Sequence, residues 1–126
     1  MKILLAVSIG GAIGAIARFQ LSQLFAKNVS GDFIYNIMVA NILGCCLMGF
    51  CYEFMNLKAN IGAEWRAFFL VGVLGAFTTF SSFALDVFIL VERGNFLNAS
   101  VYILSSVVLS ILGLFVGIYI MRTIIA

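Results

Sequence analysis

Residues 74–86, LGAFTTFSSFALD, place two threonines, two serines and an aspartate in the middle of a long apolar segment. Phenylalanines alternate with these polar residues, so the stretch is neither a plain apolar span nor a polar loop. A hydroxyl in hydrocarbon costs free energy unless it finds a hydrogen-bond partner. The stretch therefore predicts a membrane helix that is interrupted near its middle and buried against protein.

The rest of the chain is far more apolar than a soluble domain. Its 126 residues are 64% hydrophobic and 10% charged, with a mean hydropathy of +1.21. A chain this short cannot hide so much apolar surface from water, so its solvent is the bilayer. Charged residues divide it into four apolar segments, at about residues 3–25, 33–54, 67–91 and 96–120. Each can cross the hydrocarbon as a helix. We predict an all-α membrane protein in which residues 1–126 form a single transmembrane domain.

The third segment contains the predicted break, near Gly75–Thr79. Gly72 and Gly75 weaken a helix, and the threonines and serines that follow compete for backbone hydrogen bonds. A break there frees carbonyls that can hold a cation. Beyond it, Phe80 and Phe83 lie one turn apart and present ring edges, which carry partial positive charge, to a small anion. The alternative is a flexible hinge beside core aromatics.

The fourth segment carries a stripe of polar and small residues at helical spacing. The spacing of four, four, three and four residues places them on one face. The pattern alone leaves two interpretations open, a packing seam or a polar lining. Gly10 and Gly14 form a similar small-residue pair in the first segment. The stripe consists of Tyr102, Ser106, Ser110, Gly113 and Gly117.

Two charges lie near or within the spans. Arg18 is late in the first segment, where it either extends to the interface or lines a watery vestibule that attracts anions. Asp86 shares a helix face with Phe83, and it is either an acid on a pathway or a pairing partner at a helix end.

The remaining composition argues against an enzyme. The chain has no histidine, and no two carboxylates are placed for hydrolysis. The three cysteines, Cys45, Cys46 and Cys51, lack CxxC spacing and are interpreted as small apolar fillers. No glycine-rich loop follows a strand to hold phosphate.

The charges that flank the segments give only a weak orientation signal. Four cations lie on the side of the termini and two on the other side. Under the positive-inside rule, so small a difference permits insertion in both orientations. Four helices are too few to enclose a pathway, so we predict an oligomer, and mixed orientation permits an antiparallel one. The four are Lys2, Lys58, Arg66 and Arg122, and the two are Lys27 and Arg93.

The stretch GAFTTFSSF, at residues 75–83, resembles the G-x-x-T-T-F-S-x-F signature of the Fluc fluoride-channel family, also called CrcB. The resemblance extends over the full length. It includes GGAIGAIAR at residues 10–18, NILGC at residues 41–45 and RGN at residues 93–95.

The resemblance implies an antiparallel, dual-topology homodimer in the inner membrane, with two passive fluoride pores and no nucleic-acid partner. It implies a structural sodium ion at the dimer centre, held by the backbone carbonyls of Gly75 and Thr78. Arg18 would flank the vestibule, and Asn41 would donate its amide to fluoride. The implied fluoride pathway consists of Asn41, Phe80, Ser81, Ser82, Phe83, Tyr102, Ser106 and Ser110. The match to a family polar track favours the functional interpretation of the stripe.

One region departs from the family pattern. A Pro-x-Gly-Thr turn usually precedes the second helix, whereas this chain reads FIYNIMVAN at residues 33–41, with Ile34, Asn36 and Ile37 at the three positions. How helix 2 begins, and how Asn41 is aimed, stays open at this point. Aspartate also stands at position 86, where glutamate is common. The alternative functions are a small dual-topology multidrug exporter and an assembly subunit without transport activity. The exporter class uses a glutamate in its first helix, and this chain has no acid there.

Overall fold

The computed structural model describes residues 1–28, 35–58 and 60–125. Across these residues it has helices and no strand. Four helical segments are long and apolar enough to cross a membrane, which confirms the predicted class of fold. The third of them, Ala63–Glu92, is interrupted at residues 78–79. We label the helices α1 (Lys2–Asn28), α2 (Asn36–Leu57), α3 (residues 63–77), α4 (Phe80–Glu92) and α5 (Phe96–Ile125).

Among the described residues, the helices follow the predicted apolar segments and extend beyond most of their ends. The third span begins at Ala63 rather than near residue 67, and α5 continues to Ile125 rather than ending near residue 120. The extra turns contain charged residues, which a hydropathy pattern assigns to loops but which a helix end at the interface tolerates. The predicted start of helix 2 near residue 33, and Ile34 with it, lie outside the described residues.

The contact between α1 and α3 depends on glycine. A Cβ added to Gly10 would lie 2.5 Å from the carbonyl oxygen of Phe68, and one added to Gly72 would lie 2.9 Å from the Cα of Gly10. A Cβ on Gly14 would overlap the carbonyl of Val73. The backbones therefore touch, as small residues allow in membrane helix pairs.

A second glycine contact joins α2 to α5. An added Cβ on Gly117 would overlap the Cys46 carbonyl, and one on Gly49 would overlap the Leu114 carbonyl. The small end of the predicted stripe is thus a packing seam. Its polar end lies further towards the start of α5, beside the break in the third span.

Polar contacts hold one end of the bundle. Arg122 Nε donates to Glu53 Oε1 at 2.7 Å, which joins the end of α5 to the end of α2. Arg66 Nη2 donates to the Met55 carbonyl at 2.7 Å, which brings the start of α3 to the same place. These contacts agree with the predicted arrangement, in which Arg66 and Arg122 lie on the same side of the membrane.

The turn between α4 and α5 explains the RGN motif. Gly94 adopts a φ of 71°, a left-handed conformation that glycine enters without steric cost. Its N–H donates to the Val91 carbonyl at 2.9 Å, and the Asn95 N–H donates to the Leu90 carbonyl at 3.0 Å. These bonds satisfy carbonyls at the end of α4 and allow the chain to reverse tightly into α5.

Candidate functional site

The third span changes its backbone conformation four times, beginning with the change from α-helix to π-helix after Arg66. Ala67–Leu74 has π-helical hydrogen bonding, and Gly75–Phe77 returns to α-helix. Thr78 and Thr79 are extended, with φ and ψ of −84° and 153° for Thr78 and of −154° and 125° for Thr79. The break is therefore narrower than the predicted range Gly75–Thr79, because residues 75–77 of that range are helical.

Thr79 restarts the helix as the N-cap of α4. Its Oγ1 accepts a hydrogen bond from the Ser82 N–H at 3.3 Å, which satisfies one of the free donors at the beginning of a helix. The two threonines of the quoted stretch thus have a structural use, because Thr78 helps to close one helix and Thr79 opens the next. Thr78 contributes to the closure, since its Oγ1 donates to the Leu74 carbonyl at 3.0 Å.

Asn41 on α2 binds the broken backbone directly. Its Oδ1 accepts from the Thr79 N–H at 2.8 Å, and its Nδ2 donates to the Thr79 carbonyl at 3.0 Å. An extended residue presents its N–H and C=O to one side, and the carboxamide matches both. Asn41 is therefore aimed at the break even though the family's Pro-x-Gly-Thr turn is absent from this chain.

The start of α2 shows how the chain manages without that turn. The Asn36 side-chain Oδ1 accepts from the Ile37 N–H at 2.8 Å, which satisfies a donor in the first turn of the helix. Ile37 packs against a buried cluster formed by Phe83, Leu90, Ala99 and Tyr102. Two of the three departing residues thus position α2, one by a hydrogen bond and one by apolar contact.

An open cleft of about 400 Å³ lies against the break. We call it the break cleft. It brings together most of the predicted site, from three separate parts of the sequence. Its walls include Asn41, Gly75, Thr78, Phe80, Phe83, Ser106 and Ser110, together with Cys45 and Thr79.

The two phenylalanines of the break cleft have different surroundings. Their ring centroids are 5.4 Å apart with an interplanar angle of 48°. Phe80 is 78% exposed in the single chain, whereas Phe83 is 8% exposed. Phe83 also stacks on Tyr102, with centroids 5.4 Å apart and planes 18° apart. Phe83 is therefore held in place from behind, while Phe80 stands at the mouth of the cleft.

The polar stripe of α5 divides between the break cleft and the core. Ser106 and Ser110 line the cleft. The Ser106 Oγ is buried, and no hydrogen-bond partner for it lies among the described residues. Tyr102 is fully buried and lies outside the cleft lining, and its hydroxyl donates to Asp86 Oδ2 at 2.8 Å. Of the two interpretations left open for Asp86, the structure favours the pairing partner, although Asp86 lies inside α4 and not at a helix end.

Arg18 belongs to a second, smaller pocket of about 280 Å³, which it shares with Ser22 and Ser82. Its Nη1 donates to the Ser82 Oγ at 3.4 Å. Thr79 Oγ1 donates to the same Ser82 oxygen at 3.3 Å and is 3.4 Å from the Ser81 Oγ. Ser81 and Ser82 thus line no part of the break cleft, and Thr79 connects the two pockets.

Sequence reasoning missed two residues of this site. Cys45, which the sequence pattern predicts to be an apolar filler, lines the break cleft one turn after Asn41. Thr79, for which the pattern predicts only a helix break, has a backbone that is the partner of Asn41 and a hydroxyl that links the pockets. The spacing of four between Asn41 and Cys45 was the available signal, because it places both on one face of α2.

Comparison with known proteins is consistent over the whole chain. Residues 5–118 match the family model described as CrcB-like protein, Camphor Resistance (CrcB). A protein of Rhodospirillum centenum named fluoride-specific ion channel FluC is 41% identical, and the alignment covers 100% of both chains. Proteins of the same name from Rhizobium meliloti and Parabacteroides distasonis are 37% and 38% identical, over 97% and 93% of this chain and 98% and 91% of theirs.

Proposed function

The chain belongs to the CrcB family, and from that premise we propose that it is a fluoride-selective channel that exports cytoplasmic fluoride. It is a multi-pass protein of the inner membrane and is not an enzyme. The multidrug exporter weighed from the sequence is not supported, since the relatives reported above are named as fluoride-specific channels.

The observation that carries the proposal is the composition of the break cleft. It combines neutral donors and ring edges without a charged side chain in its lining. Such a lining suits a small, strongly hydrated anion, because hydroxyls, an amide and aromatic edges can replace its water without trapping it. The Ser106 hydroxyl supports this use, since it is buried without a partner among the described residues and so retains its donor for an ion or a water molecule.

A passive channel is sufficient for export. Hydrogen fluoride crosses the bilayer as a neutral molecule and dissociates in a less acidic cytoplasm, which traps the anion. A negative interior drives each anion outwards with about 2.3 kcal/mol per 100 mV. Ser82 of α4 lines the Arg18 pocket. The positive charge of Arg18 raises the local concentration of anions at this pocket.

The experiment is fluoride efflux from proteoliposomes, followed with a fluoride electrode, with chloride efflux measured in parallel. Fast fluoride efflux without chloride efflux supports the channel. No flux of either anion from vesicles that contain folded protein overturns it and favours an assembly subunit. Proton-coupled movement of a cationic dye without fluoride flux would instead favour the exporter.

We further propose that the working unit is an antiparallel homodimer. Gly75 and Phe80 are exposed in the single chain, directly at an interrupted helix. Non-helical backbone within the membrane is stable only where protein covers it, so another surface must cover this one. A second copy is the simplest cover, and the weak charge bias permits it to insert in the opposite orientation.

The third part of the proposal is a structural sodium ion at the two-fold axis, held by the carbonyls of Gly75 and Thr78. In a continuous helix these carbonyls would accept from the N–H groups of Thr79 and Ser82. Here Thr79 N–H donates to Asn41 and Ser82 N–H donates to the Thr79 hydroxyl. Both carbonyls therefore lack their helical donors, and two copies would supply four neutral oxygens. A bound cation there would contribute positive charge between two anion pathways.

A further inference from the structure

The contact between Asn41 and Thr79 joins a side chain of α2 to the backbone of the break. Thr79 N–H is the group that would close a helical hydrogen bond onto the Gly75 carbonyl. A backbone N–H at membrane depth needs a partner, and that carbonyl is the nearest alternative along the chain. Because Asn41 Oδ1 accepts from Thr79 N–H at 2.8 Å, the competing donor is removed.

We propose that Asn41 is a positioning residue for the cation site, which keeps the third span broken so that the Gly75 carbonyl faces outwards. This inference rests on the proposed function, since it concerns the sodium site of the same channel. The paired bond, from Nδ2 to the Thr79 carbonyl at 3.0 Å, fixes the orientation of the carboxamide. A carboxamide has two N–H donors, so the second stays free to face an anion.

Gly44 is the second residue on which this contact between α2 and the break depends. It lies three residues after Asn41, on the same face of α2. A Cβ added to Gly44 would overlap the Thr78 Cγ2 and lie 3.1 Å from the Phe77 Cδ1. The bare backbone at position 44 thus lets α2 approach the break closely enough for Asn41 to reach it. Within the NILGC segment, Gly44 allows the close approach of α2 and Asn41 supplies the carboxamide.

A substitution at either residue therefore affects cation binding rather than only anion flux. Without the carboxamide, Thr79 N–H competes with the cation for the Gly75 carbonyl. Loss of one organising hydrogen bond corresponds to about a tenfold weaker site. A residue that acts only as an anion donor would leave sodium affinity unchanged, so the two roles give different results.

The test is thermal unfolding of the full-length protein in detergent, titrated with sodium against a bulky organic cation at constant ionic strength. We expect Asn41→Leu, which has a similar shape and no polar atoms, to need about tenfold more sodium for half of the stabilisation. Asn41→Asp keeps the acceptor for Thr79 N–H, so its midpoint should stay near that of the native chain or fall. Gly44→Ala should raise the midpoint although the carboxamide is intact.

Gly11→Ala is the matched control, because a Cβ there meets nothing within 4 Å. The inference is overturned if Asn41→Leu reaches half of its stabilisation at the same sodium concentration as the native chain. It is also overturned if Asn41→Asp needs as much sodium as Asn41→Leu. If Asn41→Leu fails to fold, Gly44→Ala takes its place, and a sodium midpoint equal to that of the native chain overturns the inference.

Fluoride efflux by the native protein separates this inference from the proposed function. Efflux without any sodium response overturns the inference and leaves the channel. A sodium response without efflux overturns the channel and leaves the cation site.

Discussion

The hydroxyl of Tyr102 donates to the Asp86 carboxylate at 2.8 Å, and the ring of the same tyrosine stacks on Phe83. One side chain thus satisfies an acid inside the membrane and supports an aromatic wall of the break cleft. Asp86, for which the sequence left two interpretations open, thus anchors the residue that supports this wall.

Substitution of Tyr102 separates the two contacts. Tyr102→Phe keeps the stack on Phe83 and removes the donor to Asp86, so we expect a loss of about 1–3 kcal/mol of unfolding free energy from the unsatisfied carboxylate. Asp86→Asn keeps an acceptor for the hydroxyl and should cost less. Denaturation of both variants in detergent measures the difference. Equal stability of Tyr102→Phe and the native chain would mean that the bond is not maintained.

Glycine contacts between helices make a second prediction. Gly117→Ala places a methyl group against the Cys46 carbonyl and 2.8 Å from the Phe50 nitrogen, and backbone cannot move aside as a side chain can. We expect a cost of about 1–3 kcal/mol, typical of overpacking. Gly11→Ala is the matched control, since it is also a helical glycine but its added Cβ meets no atom. Similar melting temperatures for the two variants would contradict the close packing of α2 and α5.

Hydropathy and the polar stretch in the third segment predicted the four spans and the interrupted third helix, whereas Asn41 and the pathway use of the α5 stripe came from the family resemblance. They could not predict that Tyr102 lies behind the cleft while Ser106 lines it, because a stripe on α5 does not reveal which neighbour each position meets. They also missed the pairing of Asn41 with Thr79, which joins residues 38 positions apart. Such a contact depends on the approach of α2 at Gly44, and only the packed backbone reveals it.

The antiparallel dimer predicts dual topology. In a chain without Cys45, Cys46 and Cys51, single cysteines placed beside Lys27 and beside Lys58 should each react with a membrane-impermeant thiol reagent from both sides. The physical reason is the small difference in the number of cations between the two sides of the membrane. Arg122, on the side with more cations, is paired with Glu53, so it does not enlarge this difference. Labelling of each site from one side only would contradict the proposal, and intact vesicles that exclude the reagent provide the control.

Phe80 tests whether ring edges take part in anion passage. Phe80→Ile keeps the apolar bulk and removes the aromatic edge, so we expect fluoride efflux to fall by up to about tenfold, the range of one aromatic contact. Phe88→Ile is the matched control, because Phe88 lies on the same helix, is 58% exposed and does not line the break cleft. Equal efflux by the two variants, in verified dimers, would assign Phe80 to packing alone.

The Ser106 hydroxyl has no hydrogen-bond partner in the described part of the chain, and it gives a prediction that separates stability from activity. A buried hydroxyl without a partner costs free energy, so Ser106→Ala should leave the unfolding free energy unchanged or raise it by about 1 kcal/mol. If the hydroxyl replaces water around fluoride in the break cleft, efflux should fall in the same variant.

Ser100→Ala is the control, since the Ser100 hydroxyl donates to the Phe96 carbonyl of its own helix at 3.0 Å and lies outside the cleft. A stability loss in Ser106→Ala would mean that the hydroxyl has a protein partner in the membrane, and native efflux would remove Ser106 from the pathway. A more stable but slower channel would mean that the chain keeps an unsatisfied hydroxyl at this position for the ion that passes it.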